Sequence, residues 1–300
     1  MEKEQKELVK YKKILNETMK AFIAFCNMHN LQYYACAGSC LGAIRHHGII
    51  PWDDDIDVIM PRESYDRFLS LRSKLAMTNY DILSPDEPGY YLSFAKFINK
   101  NTTIVETAEF PFVIGVFVDV FPQDLVGNVT HAKMLMEKKR LAFSRYCLAI
   151  EKHSLSTACG LLMKFRIKAF VNYCIYSMFD KTLAKNHFED FKKLNLEIRK
   201  IKGDKCMCYD GFYEFEKEVC EPSWFEDGVE VPFEDYTIRV PKDYHAYLTH
   251  MYGDYMTPPP MAKQVSHHNL YFMDLEKHWA IKDIMKLNLE KQEKIEYSYE

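Results

Sequence analysis

The side chains best suited to chemistry in this 300-residue chain are aspartates near residue 55. Asp55 and Asp57 stand two residues apart in a segment, 55–60, where acidic and apolar residues alternate. Because side chains alternate along a strand, this pattern predicts a strand with both carboxylates on one face. Two such carboxylates suit one hard cation, and Mg²⁺ usually completes its shell with water and substrate phosphates. The pattern therefore predicts a Mg²⁺ or Mn²⁺ site that acts on a phosphate-bearing substrate.

A turn just before these aspartates is suited to bind the phosphate. The apolar run 33–37 is predicted to form a strand, and Gly38 and Ser39 follow it. Ser39 is predicted to cap a short helix, which Gly48 would end in a left-handed conformation. Free backbone N–H groups at a helix start favour a phosphate. We therefore expect Gly38 and Ser39 to bind phosphate beside the carboxylates.

These motifs together resemble a known family. Gly-Ser after a strand, followed by alternating aspartates, resembles the nucleotidyltransferase superfamily that includes DNA polymerase beta. The longer string GSCLGAIRHHGIIPWDDDIDVIMPR, residues 38–62, resembles the LicD family, which includes bacterial phosphocholine transferases and, more remotely, the fukutin-related proteins. Segment 236–260 resembles the second LicD signature, a short helix ending in Tyr-Gly-Asp-Tyr-Met before prolines. The resemblance covers most of residues 20–125 and 235–270.

The resemblance implies further site residues. Asp119 lies between two phenylalanines on the predicted strand 115–122 and matches the third metal-binding carboxylate of nucleotidyltransferases. It would also accept the proton of the acceptor hydroxyl, although a turn-capping aspartate is the alternative. Lys96 and Arg45 are expected to bind phosphate, with an edge position or a surface ion pair as the alternatives. Trp52 is expected to face a trimethylammonium group by cation–π attraction. Three tyrosines share that expectation: Tyr90, Tyr91 and Tyr255.

The predicted fold is α/β (α+β), with a nucleotidyltransferase-like mixed sheet flanked by helices. Apolar residues at three- and four-residue steps predict a helix over 3–29. Residues 91–106 are predicted to form a hairpin that turns at Lys100-Asn101. Three parts are expected along the chain: a catalytic core (1–127), a helical insertion (128–205) and a C-terminal part that completes the core and the acceptor site (206–300).

Composition narrows the classes of protein. The 48% hydrophobic and 27% charged residues are typical of a globular protein. The net charge of −4 argues against nucleic-acid binding. Nine cysteines occur without a secretory signal, which favours reduced thiols and a cytoplasmic location.

Two further features leave alternatives open. Segment 158–179 is apolar but contains charges, so it is not predicted to span a membrane. It would lie on an anionic membrane surface, or it would be a buried helix with solvated cations. Its basic residues are Lys164, Arg166 and Lys168. The pair His267-His268 is either a metal ligand or, more simply, a solvated or core pair.

The resemblance implies Mg²⁺-dependent transfer of a phospho-alcohol, with phosphocholine expected first. The donor would be CDP-choline or another CDP-alcohol such as CDP-glycerol or CDP-ribitol, and CMP would leave. The acceptor would be a hydroxyl of a cell-surface glycan, often lipid-linked, so peripheral contact with the inner face of the cytoplasmic membrane is expected. Two alternatives remain, a nucleotidyltransferase that releases pyrophosphate and a degenerate binding protein. Retention of all three carboxylates argues against the second.

Overall fold

The computed structural model describes residues 2–151, 159, 163, 167–264 and 270–287. The helices are α1 (Glu2–Met28), α2 (Ala37–Arg45), α3 (Arg62–Ser70), α4 (Val129–Ile150), α5 (Ile167–Ile198), α6 (Phe215–Glu218), α7 (Tyr244–Tyr252) and α8 (Ile281–Ile284). The strands are β1 (Tyr34–Ala35), β2 (Asp57–Pro61), β3 (Tyr80–Leu83), β4 (Ala95–Val105), β5 (Ile114–Val126), β6 (Lys205–Met207), β7 (Val229–Phe233), β8 (Tyr236–Val240) and β9 (Phe272–Asp274).

A mixed sheet lies at the centre of the fold. Its strand order is β1-β2-β5-β4-β3, while β6 pairs with β5 and β9 pairs with β4. Strands β2 and β5 run parallel, and the other pairs in this sheet are antiparallel. A separate hairpin consists of β7 and β8. The predicted mixed α/β fold is confirmed.

Helix α1 covers one part of the sheet with the apolar face that its sequence predicts. Its Leu15, Met19 and Phe22 are fully buried in the main core. The ring of Phe22 packs edge-on against Tyr33, and it does the same against two other core phenylalanines. Each such aromatic pair contributes about 0.5–1.5 kcal/mol beyond the burial of its area. The helix predicted over 3–29 is therefore confirmed as α1.

Strand β4 corrects the predicted hairpin. It continues through Lys100-Asn101 as one strand, with an irregularity in its pairing to β5 between Asn99 and Ile104. The Thr102 hydroxyl donates to the Asn99 carbonyl at 2.9 Å and accepts the N–H of Val116 at 2.8 Å. A bulge leaves extra residues out of the ladder, so the polar Lys-Asn pair is accommodated without a turn.

The loop that leads into the aspartates is held by the β7–β8 hairpin. Helix α2 ends at Arg45, and His47, with φ 55°, takes the left-handed conformation that was predicted for Gly48. Gly48 lies against Glu234, whose carboxylate a Cβ at this position would overlap. The Glu234 N–H donates to the His47 carbonyl at 2.7 Å, and its carboxylate accepts the Ile49 N–H at 3.0 Å. Gly48 therefore leaves room for the Glu234 carboxylate beside the loop.

Helices α4 and α5 pack against each other and form two smaller apolar clusters beside the main core. The side chain of Asn128 caps α4 by accepting the N–H of His131 at 2.9 Å. After α5 the chain returns to the sheet through β6. The predicted division at residues 127 and 205 remains a prediction.

Within the described residues, no helix is both long enough and apolar enough to cross a membrane. Four residues of the sequence-based hypotheses lie outside the description, as does the side chain of Lys168. These are Lys164, Arg166, His267 and His268.

Candidate active site

Strands β2 and β5 bring the three predicted aspartates together. Asp57 and Asp119 are direct partners in the register of this parallel pair. Asp55 precedes β2, which begins at Asp57 and not at the predicted residue 55. Carboxylate oxygens of all three residues nevertheless lie within 4.8 Å of one another. The structure thus brings Asp55 and Asp119 into one cluster, although they lie 64 positions apart in the sequence.

The electrostatics of the cluster favour a bound cation. Burial raises the pKa of Asp55 well above its usual value, and the carboxylates of Asp57, Asp53 and Asp119 raise it further. Like charges at this spacing disfavour ionisation unless a positive charge compensates them. The three ligands offer oxygen only, which suits Mg²⁺ or Mn²⁺ better than a soft metal. The residues present therefore fit the predicted metal.

Lys96 contacts the cluster from β4. It stands opposite Asp119 in the strand register, and its Nζ lies 2.7 Å from Asp119 Oδ1 and 3.5 Å from Glu106 Oε1. The ammonium also lies over the Phe117 ring, 3.2 Å from its centroid. Burial lowers the pKa of Lys96, but the carboxylates of Asp119 and Glu106 outweigh it and leave the pKa raised. Lys96 is thus a buried cation that positions Asp119, and its predicted contact with phosphate remains a prediction.

Ser39 connects α2 to β2. The prediction that it caps the helix is wrong, because α2 begins at Ala37 and the capping position is Cys36. The Ser39 hydroxyl instead accepts the N–H of Asp57 at 2.8 Å. The N–H of Ala37 donates to the Tyr247 hydroxyl at 3.0 Å. Ser39 therefore fixes the backbone of a predicted metal ligand.

Gly38 offers a backbone N–H group at the predicted phosphate turn. Its N–H has no hydrogen-bond partner among the residues that the structure describes. A Cβ at Gly38 would lie 2.9 Å from Asp53 Oδ2, so the glycine allows the Asp53 side chain to approach the turn. An N–H group in the first turn of a helix is well placed to donate to an anion.

A cleft of about 330 Å³ lies against the start of α2 and two of the three aspartates. Gly38, Asp53, Asp55 and Asp57 line it together with residues from the C-terminal part of the chain. Sequence reasoning missed these later residues and also Asp53, which the Asp-Asp-Asp run 53–55 could have indicated. The missed residues that matter most are Phe212, Tyr213, Glu218 and Tyr247.

Arg45 and Trp52 lie away from this cleft. Helix α2 has nine residues, and at 1.5 Å per residue its ends lie about 12 Å apart. Arg45 is at the end opposite to Gly38, where its guanidinium donates to the Tyr255 carbonyl at 2.7 Å and lies 6.0 Å from the Trp52 ring centroid. Neither side chain lines the cleft. The predicted contacts of Arg45 with phosphate and of Trp52 with a trimethylammonium group remain predictions.

The three tyrosines expected at a trimethylammonium group are buried: Tyr90, Tyr91 and Tyr255. The Tyr91 hydroxyl bonds to Glu106, and that of Tyr255 bonds to His245 at 3.0 Å. None of the three lines the cleft, whose aromatic lining is instead Phe121, Phe212, Tyr213 and Tyr247.

Residues 30–154 match the family model described as LicD/FKTN/FKRP, nucleotidyltransferase domain. The matched segment contains α2, β2 and β5, and therefore the whole aspartate cluster. Over this segment the chain is similar to the LicD family. The resemblance drawn from residues 38–62 is confirmed.

Individual relatives extend the similarity beyond the matched domain. The lipopolysaccharide cholinephosphotransferase LicD of Haemophilus influenzae is 28% identical over 249 residues, which are 82% of this chain and 90% of that protein. An uncharacterised protein of Rickettsia typhi is 34% identical over 68 residues, 23% of this chain and 22% of its own. One of Rickettsia prowazekii is 43% identical over 44 residues, 15% of this chain and 16% of its own.

Proposed function

We propose that this protein transfers phosphocholine from CDP-choline to a hydroxyl of a cell-surface glycan and releases CMP. The observation that carries the proposal is the cluster of Asp55, Asp57 and Asp119 oxygens, within 4.8 Å of one another. A cleft that also contains the start of α2 holds the first two. The similarity to a lipopolysaccharide cholinephosphotransferase supports the choice of phosphocholine and of a glycan.

The proposed reaction depends on Mg²⁺ or Mn²⁺, which the three aspartates would hold. A bound divalent cation neutralises the charge that develops on the diphosphate. Burial and then the neighbouring carboxylates raise the pKa of Asp55, which supports this role, because a bound cation stabilises the ionised carboxylate.

Residues of the chain itself would position the phosphate and the metal-binding carboxylates. The N–H of Gly38, at the positive end of α2, would donate to a phosphate oxygen. Ser39 holds the backbone of Asp57, and Lys96 holds the carboxylate of Asp119. Phosphoryl transfer depends mainly on alignment and on cancellation of charge. These contacts keep the carboxylates in place before the donor arrives.

Phe212 is the aromatic residue that we assign to the trimethylammonium group, in place of Trp52. It lines the cleft and is 77% exposed, so its ring is accessible to a bound donor. Attraction between a quaternary ammonium and an aromatic face is worth about 0.5–2 kcal/mol. This contact with Phe212 would favour choline over glycerol and ribitol, because neither of these alcohols carries a positive charge.

The proposed acceptor is a lipid-linked glycan, so the enzyme would act at the inner face of the cytoplasmic membrane without spanning it. The basic residues of segment 158–179 support this location from the sequence alone. They give weak attachment that salt would reverse.

Separate incubations with CDP-choline, CDP-glycerol and CDP-ribitol test the proposal. Each contains Mg²⁺ and lipopolysaccharide as the acceptor, and CMP is measured by chromatography. We expect CMP release to be fastest with CDP-choline and to require the acceptor. Release of pyrophosphate from CTP, with no CMP from any CDP-alcohol, would contradict the proposal and favour a nucleotidyltransferase.

A further inference from the structure

Glu218 is a buried carboxylate outside the aspartate cluster. It is the last residue of α6, it is 8% exposed, and it lines the same cleft as Asp55 and Asp57. No salt bridge to it is formed by the described part of the chain. Its neighbour Glu216, on the same helix, is exposed and pairs with Lys133 at 2.8 Å. A carboxylate buried without a cation is costly, which makes Glu218 a candidate for a chemical role.

The loop before α6 holds Glu218 in a fixed position. The N–H of Tyr213 donates to Glu218 Oε1 at 3.0 Å. Gly211 provides the space, because a Cβ there would overlap the carboxylate. The second oxygen, Oε2, has no hydrogen-bond partner among the described residues. One oxygen is therefore anchored to the backbone, and the other is available in the cleft.

Glu218 and the aspartate cluster both lie near the phenol of Tyr213. Burial raises the pKa of the Tyr213 phenol to about 12, and the carboxylates of Asp57 and Glu218 both contribute to the increase. Tyr213 therefore lies within electrostatic range of both groups. A substrate bound at the aspartates would have Glu218 as a nearby carboxylate that the metal does not need.

The ionisation of Glu218 suits proton transfer near neutral pH. Burial raises its pKa to about 7, the Tyr213 N–H and Arg140 lower it, and Asp210 raises it. A general base works best when its pKa lies near the operating pH. The titratable and charged groups around it are Arg140 on α4, Asp210, Tyr213, Cys36, Cys208 and Cys220.

Asp119 is less suited to take a proton. The Lys96 ammonium lies 2.7 Å from one of its oxygens, and the proposed cation would engage the carboxylate as well. Two nearby cations favour the ionised form of a carboxylate and so make it a weak base for a hydroxyl proton. This leaves Glu218 as the better placed base.

We propose that Glu218 is the general base that accepts the proton of the acceptor hydroxyl. The inference rests on the proposed function. As the proton moves to the Glu218 carboxylate, the acceptor oxygen bonds to the phosphorus that carries choline. The bond from this phosphorus to the bridging oxygen breaks, and its electron pair leaves with CMP. Glu218 then returns the proton to solvent.

The variant Glu218→Gln tests this role. The amide has the same shape, and its oxygen can still accept the Tyr213 N–H. CMP release from CDP-choline is measured across the neutral pH range with Mg²⁺ and lipopolysaccharide, and CDP-choline binding is measured by calorimetry. We expect kcat to fall by about 10²–10⁴-fold while CDP-choline binding is unchanged. The loss of wild-type activity as pH falls through about 7, where Glu218 becomes protonated, should disappear in the variant.

Two further variants separate catalysis from folding. Glu216→Gln changes an exposed carboxylate on the same helix and should keep wild-type kinetics. Glu218→Asp keeps a base and should keep partial activity with a shifted pH profile, which provides the readout if the amide variant is unstable.

Wild-type kcat and pH profile in Glu218→Gln would overturn the inference. Loss of CDP-choline binding in parallel with kcat would also overturn it, since Glu218 would then position the loop. If the wild type releases no CMP from any CDP-alcohol, the proposed function itself fails, and this assignment fails with it.

Discussion

Replacing Lys96 by methionine should destabilise the protein and make its stability depend on a divalent cation. Lys96 is 2% exposed and neutralises Asp119 at 2.7 Å, next to two further carboxylates. Removing one partner of a buried ion pair costs about 3–5 kcal/mol. Methionine keeps most of the apolar stem, so the loss reports the charge. Because total stabilities are about 5–15 kcal/mol, the effect is large enough to measure.

Urea unfolding with and without Mg²⁺ gives the assay. A cation bound at the aspartates would replace part of the lost positive charge, so Mg²⁺ should restore part of the stability of Lys96→Met. The matched control is Lys139→Met, because Lys139 pairs with Asp210 at 2.6 Å and both side chains are 2% exposed. This second pair is outside the aspartate cluster. The control should lose a similar amount of stability, and Mg²⁺ should stabilise it only as much as it stabilises the wild type, because its aspartate cluster is intact.

Two outcomes would refute this reasoning. If Lys96→Met is as stable as the wild type without metal, the ammonium does not compensate the carboxylates. If Mg²⁺ stabilises Lys96→Met no more than it stabilises Lys139→Met, the cation does not replace the lost positive charge at the aspartate cluster.

Three other predictions follow from the same contacts. Asp57→Asn should remain folded but lose CMP release, as should the wild type after EDTA; a folded variant with wild-type turnover would disprove the metal assignment. The folded-state pKa of Glu218, about 7, exceeds its ordinary value of 4.5. The stability that its side chain contributes is therefore fully present below pH 4.5 and is lost as pH rises through about 7. As pH rises from 4.5 to about 7, the free energy of unfolding of Glu218→Gln should therefore increase by up to about 3 kcal/mol relative to that of the wild type. If urea unfolding gives the same difference between the two proteins at both pH values, the prediction is contradicted. Sedimentation with anionic vesicles should show binding at low salt that decreases when Lys164, Arg166 and Lys168 become glutamine, since each contributes about 1 kcal/mol; no binding at low salt would remove the membrane prediction.

The sequence was sufficient to predict α1 and the pair Asp55 and Asp57, because both predictions depend on short-range periodicity. Alternation placed Asp57 on a strand, and the resemblance to the LicD family supplied Asp119. The order of β2 and β5 in the sheet turned these separate signals into one site.

Other features depend on contacts that no local pattern reveals. Lys100-Asn101 has the composition of a turn, but the pairing with β5 absorbs it as a bulge. Ser39 has the composition of a helix cap, but its hydroxyl bonds to the Asp57 N–H from a neighbouring strand. Glu216 and Glu218 look alike in the sequence, and only the packing of the Gly211 loop shows that one is exposed and the other is buried.

The most direct test of the central claim is to identify both products of one reaction. The wild-type protein is incubated with CDP-choline, Mg²⁺ and lipopolysaccharide, and CMP and the modified glycan are quantified by mass spectrometry. We predict that one phosphocholine group appears on the glycan for each CMP released, and that Asp57→Asn yields neither product. CMP release without phosphocholine on the glycan, or transfer of the cytidine nucleotide itself, would contradict the proposed function.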